Sequence, residues 1–127
     1  MFLLYVAFAL ALLVSVGHSL LSQKMFLTPL ANESVQDTAF STDVAKRLTF
    51  AMFHFASIFW IGMGVSILMM LQIGALHRST LLLFAGIYGV SAVGNFWSVR
   101  QPHPGGLILA TISGLILAAL FSSPLAS

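Results

Sequence analysis

The sequence predicts an all-α membrane protein, a four-transmembrane-helix bundle, antiparallel and up-down, with both termini on the same, extracytoplasmic side. Two observations carry that expectation. Of the 127 residues, 59% are hydrophobic and 6% are charged, whereas a soluble domain carries about 25% charged residues. The apolar residues also gather into four runs parted by polar joints, on the scale of the roughly 20 residues that span a bilayer core. The chain reads as a single transmembrane domain, 1–127, with spans at 1–22, 48–76, 81–99 and 106–122 and a polar loop at 23–47.

Residues 1–22 are uncharged and apolar, with no basic residue ahead of the run. A cleaved signal peptide wants a basic start and a short core, so this segment is expected to be a retained span. The 23–47 segment holds Lys24, Glu33, Asp37, Asp43, Lys46 and Arg47, with Pro29 expected to break any continuing helix. Ser41 or Thr42 is the expected N-cap of the second helix. Span two, 48–76, is longer than a vertical crossing needs and must tilt or protrude.

His77-Arg78-Ser79-Thr80 is expected to be a tight joint with two capping hydroxyls, making spans two and three antiparallel neighbours. Trp97 and Arg100 close span three as an interfacial anchor. Gln101-Pro102-His103-Pro104-Gly105-Gly106 reads as a turn before the shortest span. Small residues recur every fourth position: Ala7, Ala11, Ser15 and Ser19; Ala85 and Gly89; Ala110, Gly114 and Ala118. Such stripes let helices approach closely and are expected to be seams of the bundle.

Basic residues set orientation. Lys24, Lys46, Arg47 and Arg100 fall on one side of a four-span arrangement and Arg78 alone on the other. The positive-inside bias therefore puts the long loop in the cytoplasm of a bacterial cell, in a multi-pass cytoplasmic-membrane protein. Cysteine is absent, which removes disulfides and thiolate chemistry. No basic patch suits a nucleic acid, so the expected partners are the lipid bilayer, other membrane subunits or a second copy.

Chemistry is concentrated in a few polar residues. His18 lies near the end of span one, and His54 sits two turns into span two among Phe50, Phe53 and Trp60. Ser19 and Ser57 lie beside them, and Asn95, Arg100 and His103 belong to the same side of the membrane through the third joint. Two imidazoles on adjacent helices could hold haem b in an apolar pocket. With His103 as a third ligand, they could hold a zinc or copper ion. Neither spacing is a motif, and a membrane histidine more often bonds a serine or carbonyl on the next helix. A proton-linked role is the third reading.

The spans carry no Asp, Glu, Lys or Arg, so an acidic transport site is missing. Met52, Met63, Met69 and Met70 read as packing residues rather than copper ligands. No nucleophile–base–orienter set, phosphate loop or carboxylate pair can be read in a span, so no enzyme activity is indicated.

Gly17-His18-Ser19-Leu20-Leu21, Pro29-Leu30 and Phe53-His54-Phe55-Ala56-Ser57 resemble a family of small four-span bacterial membrane proteins. That family closes span one with His-Ser and carries Trp-His-x-x-Ser in span two. This sequence has Ser22-Gln23 where the family has Gly-Glu, and Phe53 where it has Trp. The resemblance covers spans one and two and implies membership and topology, with no activity assigned; the missing acid weakens a His–Glu ligand pair. The functional expectation is a small integral membrane protein acting as an accessory or interaction subunit of a membrane complex. The alternatives are a haem- or metal-binding protein using His18 and His54, and a small proton-linked transporter.

Overall fold

A computed structural model of the chain describes residues 1–29, 42–100 and 103–122. Those residues are all-helical, and four helices are long and apolar enough to cross a membrane. They are α1 (Phe2–Ser22), α2 (Thr42–Ile73), α3 (Arg78–Val99) and α4 (Pro104–Ser122).

The spans fall where the apolar runs do, and their ends differ from expectation for local reasons. Pro29 does not break the helix early: α1 runs on into a π-helical turn, Gln23–Leu27, and helical geometry continues through Thr28 and Pro29. Only the middle of the expected 23–47 loop, with the cap candidate Ser41, lies outside the described residues. Thr42 opens α2, which therefore takes in Lys46 and Arg47.

Helix α2 stops at Ile73, short of residue 76, because Gly74 adopts φ +69°. The Ala75 N–H then returns to the Met70 carbonyl at 3.0 Å, a six-to-one closure that occupies a terminal carbonyl. The connection is thus 74–77 rather than 77–80. Arg78, Ser79 and Thr80 are inside α3, and the extended His77 is its N-cap without a side-chain bond. Helix α3 ends where Arg100 turns left-handed at φ 53° and returns its N–H to the Phe96 carbonyl at 2.9 Å.

The His103-Pro104-Gly105-Gly106 stretch is the start of α4 rather than a turn. Proline is suited to the first helical position, where its missing N–H would have no partner anyway. Phe96 then packs over Gly106, where a Cβ would lie 2.8 Å from the ring.

Packing follows two of the three small-residue stripes. Ala7, Ala11 and Ser15 are buried, and α1 lies against both α2 and α4. Ala85 is buried on α3, and Ser113 of α4 donates to its carbonyl at 2.8 Å across the α3–α4 seam. The third stripe is different. Ala110, Gly114 and Ala118 are exposed, while Leu109, Ile112 and Ile116 of α4 face the core.

Helices α2 and α3, though joined by a short connection, meet along very little of their length. Large side chains bridge them instead. Tyr88, fully buried, donates its hydroxyl to the Trp60 carbonyl at 2.7 Å, and the Trp60 indole N–H points to Ser91 Oγ at 3.3 Å. Met63 and Ile67 fill the space beyond them, whereas Met52 and Met69 turn outward.

Helix α1 also lies tightly on α2. A Cβ at Gly64 would stand 2.9 Å from the Ala11 Cβ, a rigid neighbour that only a helix displacement can move. Gly62, half a turn away, has nothing within 4 Å. Gly64→Ala should therefore cost about 1–3 kcal/mol of overpacking, while Gly62→Ala should be neutral or slightly stabilising. Reversible unfolding of both variants in detergent measures the difference; equal stabilities would mean that the α1–α2 approach is not tight.

Candidate functional site

The polar residues gather where the end of α1 meets the first turns of the apolar part of α2. Ser19 and His54 face each other across that seam, with Ser19 Oγ 3.0 Å from His54 Nδ1. On the other side of the ring, His54 Nε2 lies 3.3 Å from Gln23 Oε1. Gln23 is in turn held by Thr28, whose Oγ1 is 3.4 Å from Gln23 Nε2 and donates to the Gln23 carbonyl at 2.8 Å.

With a neutral imidazole at His54, the donors and acceptors of this chain have a consistent assignment. The Thr28 hydroxyl proton goes to the Gln23 carbonyl, so Thr28 Oγ1 is free to accept from the Gln23 amide nitrogen. That turns Gln23 Oε1 toward His54, which requires a proton on Nε2. Neutral His54 then presents its Nδ1 lone pair to the Ser19 hydroxyl, and Ser19 donates.

The π-helical turn makes this possible. In an α-helix, residues five apart point in different directions; the wider turn at Gln23–Leu27 brings residue 28 back over residue 23. Gln23 and Thr28 are the functional residues that the sequence reading missed. The five-residue spacing carries no signal unless the π turn is known, and Gln23 falls within the segment expected to be loop.

His18 is set differently. It stacks on Phe53 (centroids 5.7 Å, planes 16° apart) and meets Trp60 edge-on (5.1 Å, 66°). Phe50 packs on His54 at 4.5 Å. The three aromatics expected to wall a haem pocket therefore pack directly on the imidazoles. Phe53, Ser57 and Trp60 form one stripe of α2 at i, i+4 and i+7, and the His18 ring packs on its two aromatics. Ser57 is 3% exposed, and its Oγ has no hydrogen-bond partner among the described residues.

His18 lies within Coulombic reach of both His54 and His103, so the three imidazoles do share one end of the bundle. His103, however, works as a helix cap: its Nδ1 accepts from the Gly105 N–H at 3.2 Å. Among the described residues, no group of three His, Cys, Asp or Glu side chains could hold a metal ion. Asn95 comes close to the same cap, since a Cβ at Gly105 would lie 3.1 Å from His103 Nδ1 and 3.8 Å from Asn95 Oδ1. Arg100 is exposed beyond the end of α3. The structure thus joins Ser19 to His54, packs His18 on Phe53 and Trp60, groups Asn95 with His103, and leaves Arg100 outside. One open apolar groove of about 470 Å³ lies elsewhere, along α3 and α4, floored by Gly86 and Gly89.

No protein-family model, curated protein or solved structure matches the chain. A functional reading therefore rests on these contacts.

The Ser19–His54 bond crosses two helices in an apolar setting, where such bonds average about 0.6 kcal/mol and reach about 1.7. A double-mutant cycle with Ser19→Ala and His54→Ala, read by unfolding in detergent, should return a coupling of that size. Thr28→Val should reduce the coupling, because Gln23 loses the partner that aims its oxygen at His54. Additive single effects would show that the two side chains do not interact.

Proposed function

We propose that the protein is an accessory or interaction subunit of a bacterial cytoplasmic-membrane complex, a helix-packing module whose partner is another membrane protein or a second copy. The observation that carries this reading is the outward-facing Ala110–Gly114–Ala118 stripe of α4. Lipid tails do not need small residues, because a leucine face meets them equally well. Helix–helix contact in a bilayer does, since van der Waals packing and close backbone approach drive it. Gly114 has nothing within 4 Å of a Cβ position, so its lack of a side chain answers to no neighbour within the described chain. Thr111, exposed on the same face, bonds its own helix at the Leu107 carbonyl (2.9 Å) and presents a methyl outward.

In this arrangement the four spans run antiparallel, with the termini outside and the Gln23–Arg47 segment in the cytoplasm. The excess of Lys24, Lys46, Arg47 and Arg100 over Arg78 supports that orientation. The exposed Trp97 at the end of α3 fits an interfacial anchor on the same side. A reporter active only in the cytoplasm should be silent when fused to the C terminus.

Gly114→Leu tests the packing face. The substitution meets open space, so the monomer fold and its melting point should be unchanged. Cross-linking or co-purification in mild detergent should fall by about tenfold or more, corresponding to the 1.4 kcal/mol of a modest interface contact. Unchanged association would remove this face from the interaction.

A further inference from the structure

The Ser19–His54–Gln23 chain has a property that a helix-to-helix tie does not need. A hydroxyl is bonded to one nitrogen of an imidazole, and the other nitrogen is bonded to a carbonyl-type oxygen that fixes the tautomer. This is the order of parts in an activated nucleophile: nucleophile, general base, orienter. An amide oxygen can serve as orienter, as the Asn of Cys-His-Asn proteases does. From the geometry we infer that Ser19 is a nucleophile, with His54 as its general base and Gln23 as the positioning residue, acting on esters with an apolar acyl chain. The inference goes beyond the packing role and rests on other residues, since α4 contributes none of the three.

Each member is set by the fold. The Ala11–Gly64 approach holds α1 and α2 close enough for Ser19 to reach His54. Several helical hydroxyls fold back on the carbonyl four residues earlier: Ser15 on Ala11, Ser66 on Gly62, Ser98 on Gly94, Thr111 on Leu107. Ser19 instead faces the imidazole, to which it donates when His54 carries its proton on Nε2. The neutral tautomer selected by Gln23 leaves Nδ1 as the acceptor, which is the state a general base requires.

The substrate class follows from the surroundings. Ser19 is partly exposed near the end of a membrane-length helix, flanked by the outward Leu20, Leu21 and Met25. An ester whose acyl chain lies in the bilayer brings its carbonyl to the end of the hydrocarbon region, where this serine stands. In the reaction Ser19 Oγ bonds to the carbonyl carbon as its proton passes to His54 Nδ1. The ester C–O bond breaks, and the same proton leaves on the departing alcohol. Water then attacks the acyl-serine, gives its proton to His54, and releases the carboxylic acid as Ser19 Oγ takes that proton back.

The test is covalent labelling of the full chain in detergent micelles with an alkyl fluorophosphonate, read by peptide mass analysis, alongside hydrolysis of p-nitrophenyl octanoate. Phosphonylation is expected at Ser19, absent in Ser19→Ala and unchanged in Ser98→Ala, at an exposed serine bonded to its own helix. His54→Ala should slow it by about a hundredfold, the lower range of general-base assistance. Gln23→Leu should slow it by about tenfold, and Gln23→Glu, which restores an oxygen for Nε2–H, should recover the rate. The Gln23 pair keeps the test decisive where His54 variants fold poorly, since both reacting groups stay in place. No label, a label spread over other serines, or equal rates in the wild type and Gln23→Leu would each overturn the inference. Any of these results leaves the α4 packing face standing, because Gly114→Leu reads it separately.

Discussion

The approach of α1 to α2 at Ala11 and Gly64 governs the polar end of this bundle. There is no room between these residues for a methyl group on Gly64, so the two helices run together at a distance that leucines would forbid. Two turns further along α1, that same closeness puts Ser19 Oγ 3.0 Å from His54 Nδ1. A helix pair held apart by bulkier side chains would leave the imidazole to find a carbonyl or water instead. In hydrocarbon a polar side chain without a partner is costly, so the steric seam and the hydrogen bond support each other.

The π-helical turn is the second device, and it carries the asymmetry of the site. A regular α-helix through Gln23–Leu27 would rotate Thr28 away from Gln23, and the amide would be free to turn either end toward His54. With the turn widened, Thr28 fixes the amide, the amide fixes the imidazole proton, and the imidazole fixes the direction of the Ser19 hydroxyl. Four side chains are thereby reduced to one pattern of donors and acceptors. Pi-helical insertions recur at functional sites for this kind of re-aiming.

The four membrane-length helices were legible in the sequence because they follow from a bulk property. Long apolar runs with few charges leave the chain no stable arrangement other than membrane-length helices. The seams of α1 and α3 were legible from their small residues as well. Where the reading failed, the cause was local and conformational. Gly74 ends α2 by adopting a positive φ that composition does not advertise, and Pro104 with two glycines opens α4 because proline is favoured at a first helical position. The α4 stripe was expected to be a seam of the bundle, and the structure turns it outward instead. Spacing identifies a face without saying which way it points. The histidines were legible as odd residues, and their partners were not: Gln23 and Thr28 are joined by a π turn, and His103 is taken up by a helix cap.

Trp60 gives the site its depth. Its indole N–H reaches Ser91, its carbonyl takes the Tyr88 hydroxyl, and its ring meets the edge of His18. One residue thus ties α2 to α3 and closes α2 against α1. On one side of it along α2 lie Ser57 and His54; on the other lie Met63 and Ile67, both in the apolar core. The Ser19, Gln23 and His54 contacts therefore lie on one side of the Trp60 layer, toward the π turn. The outward Ala110–Gly114–Ala118 face of α4 contributes none of these contacts, so the two features are built from separate helices.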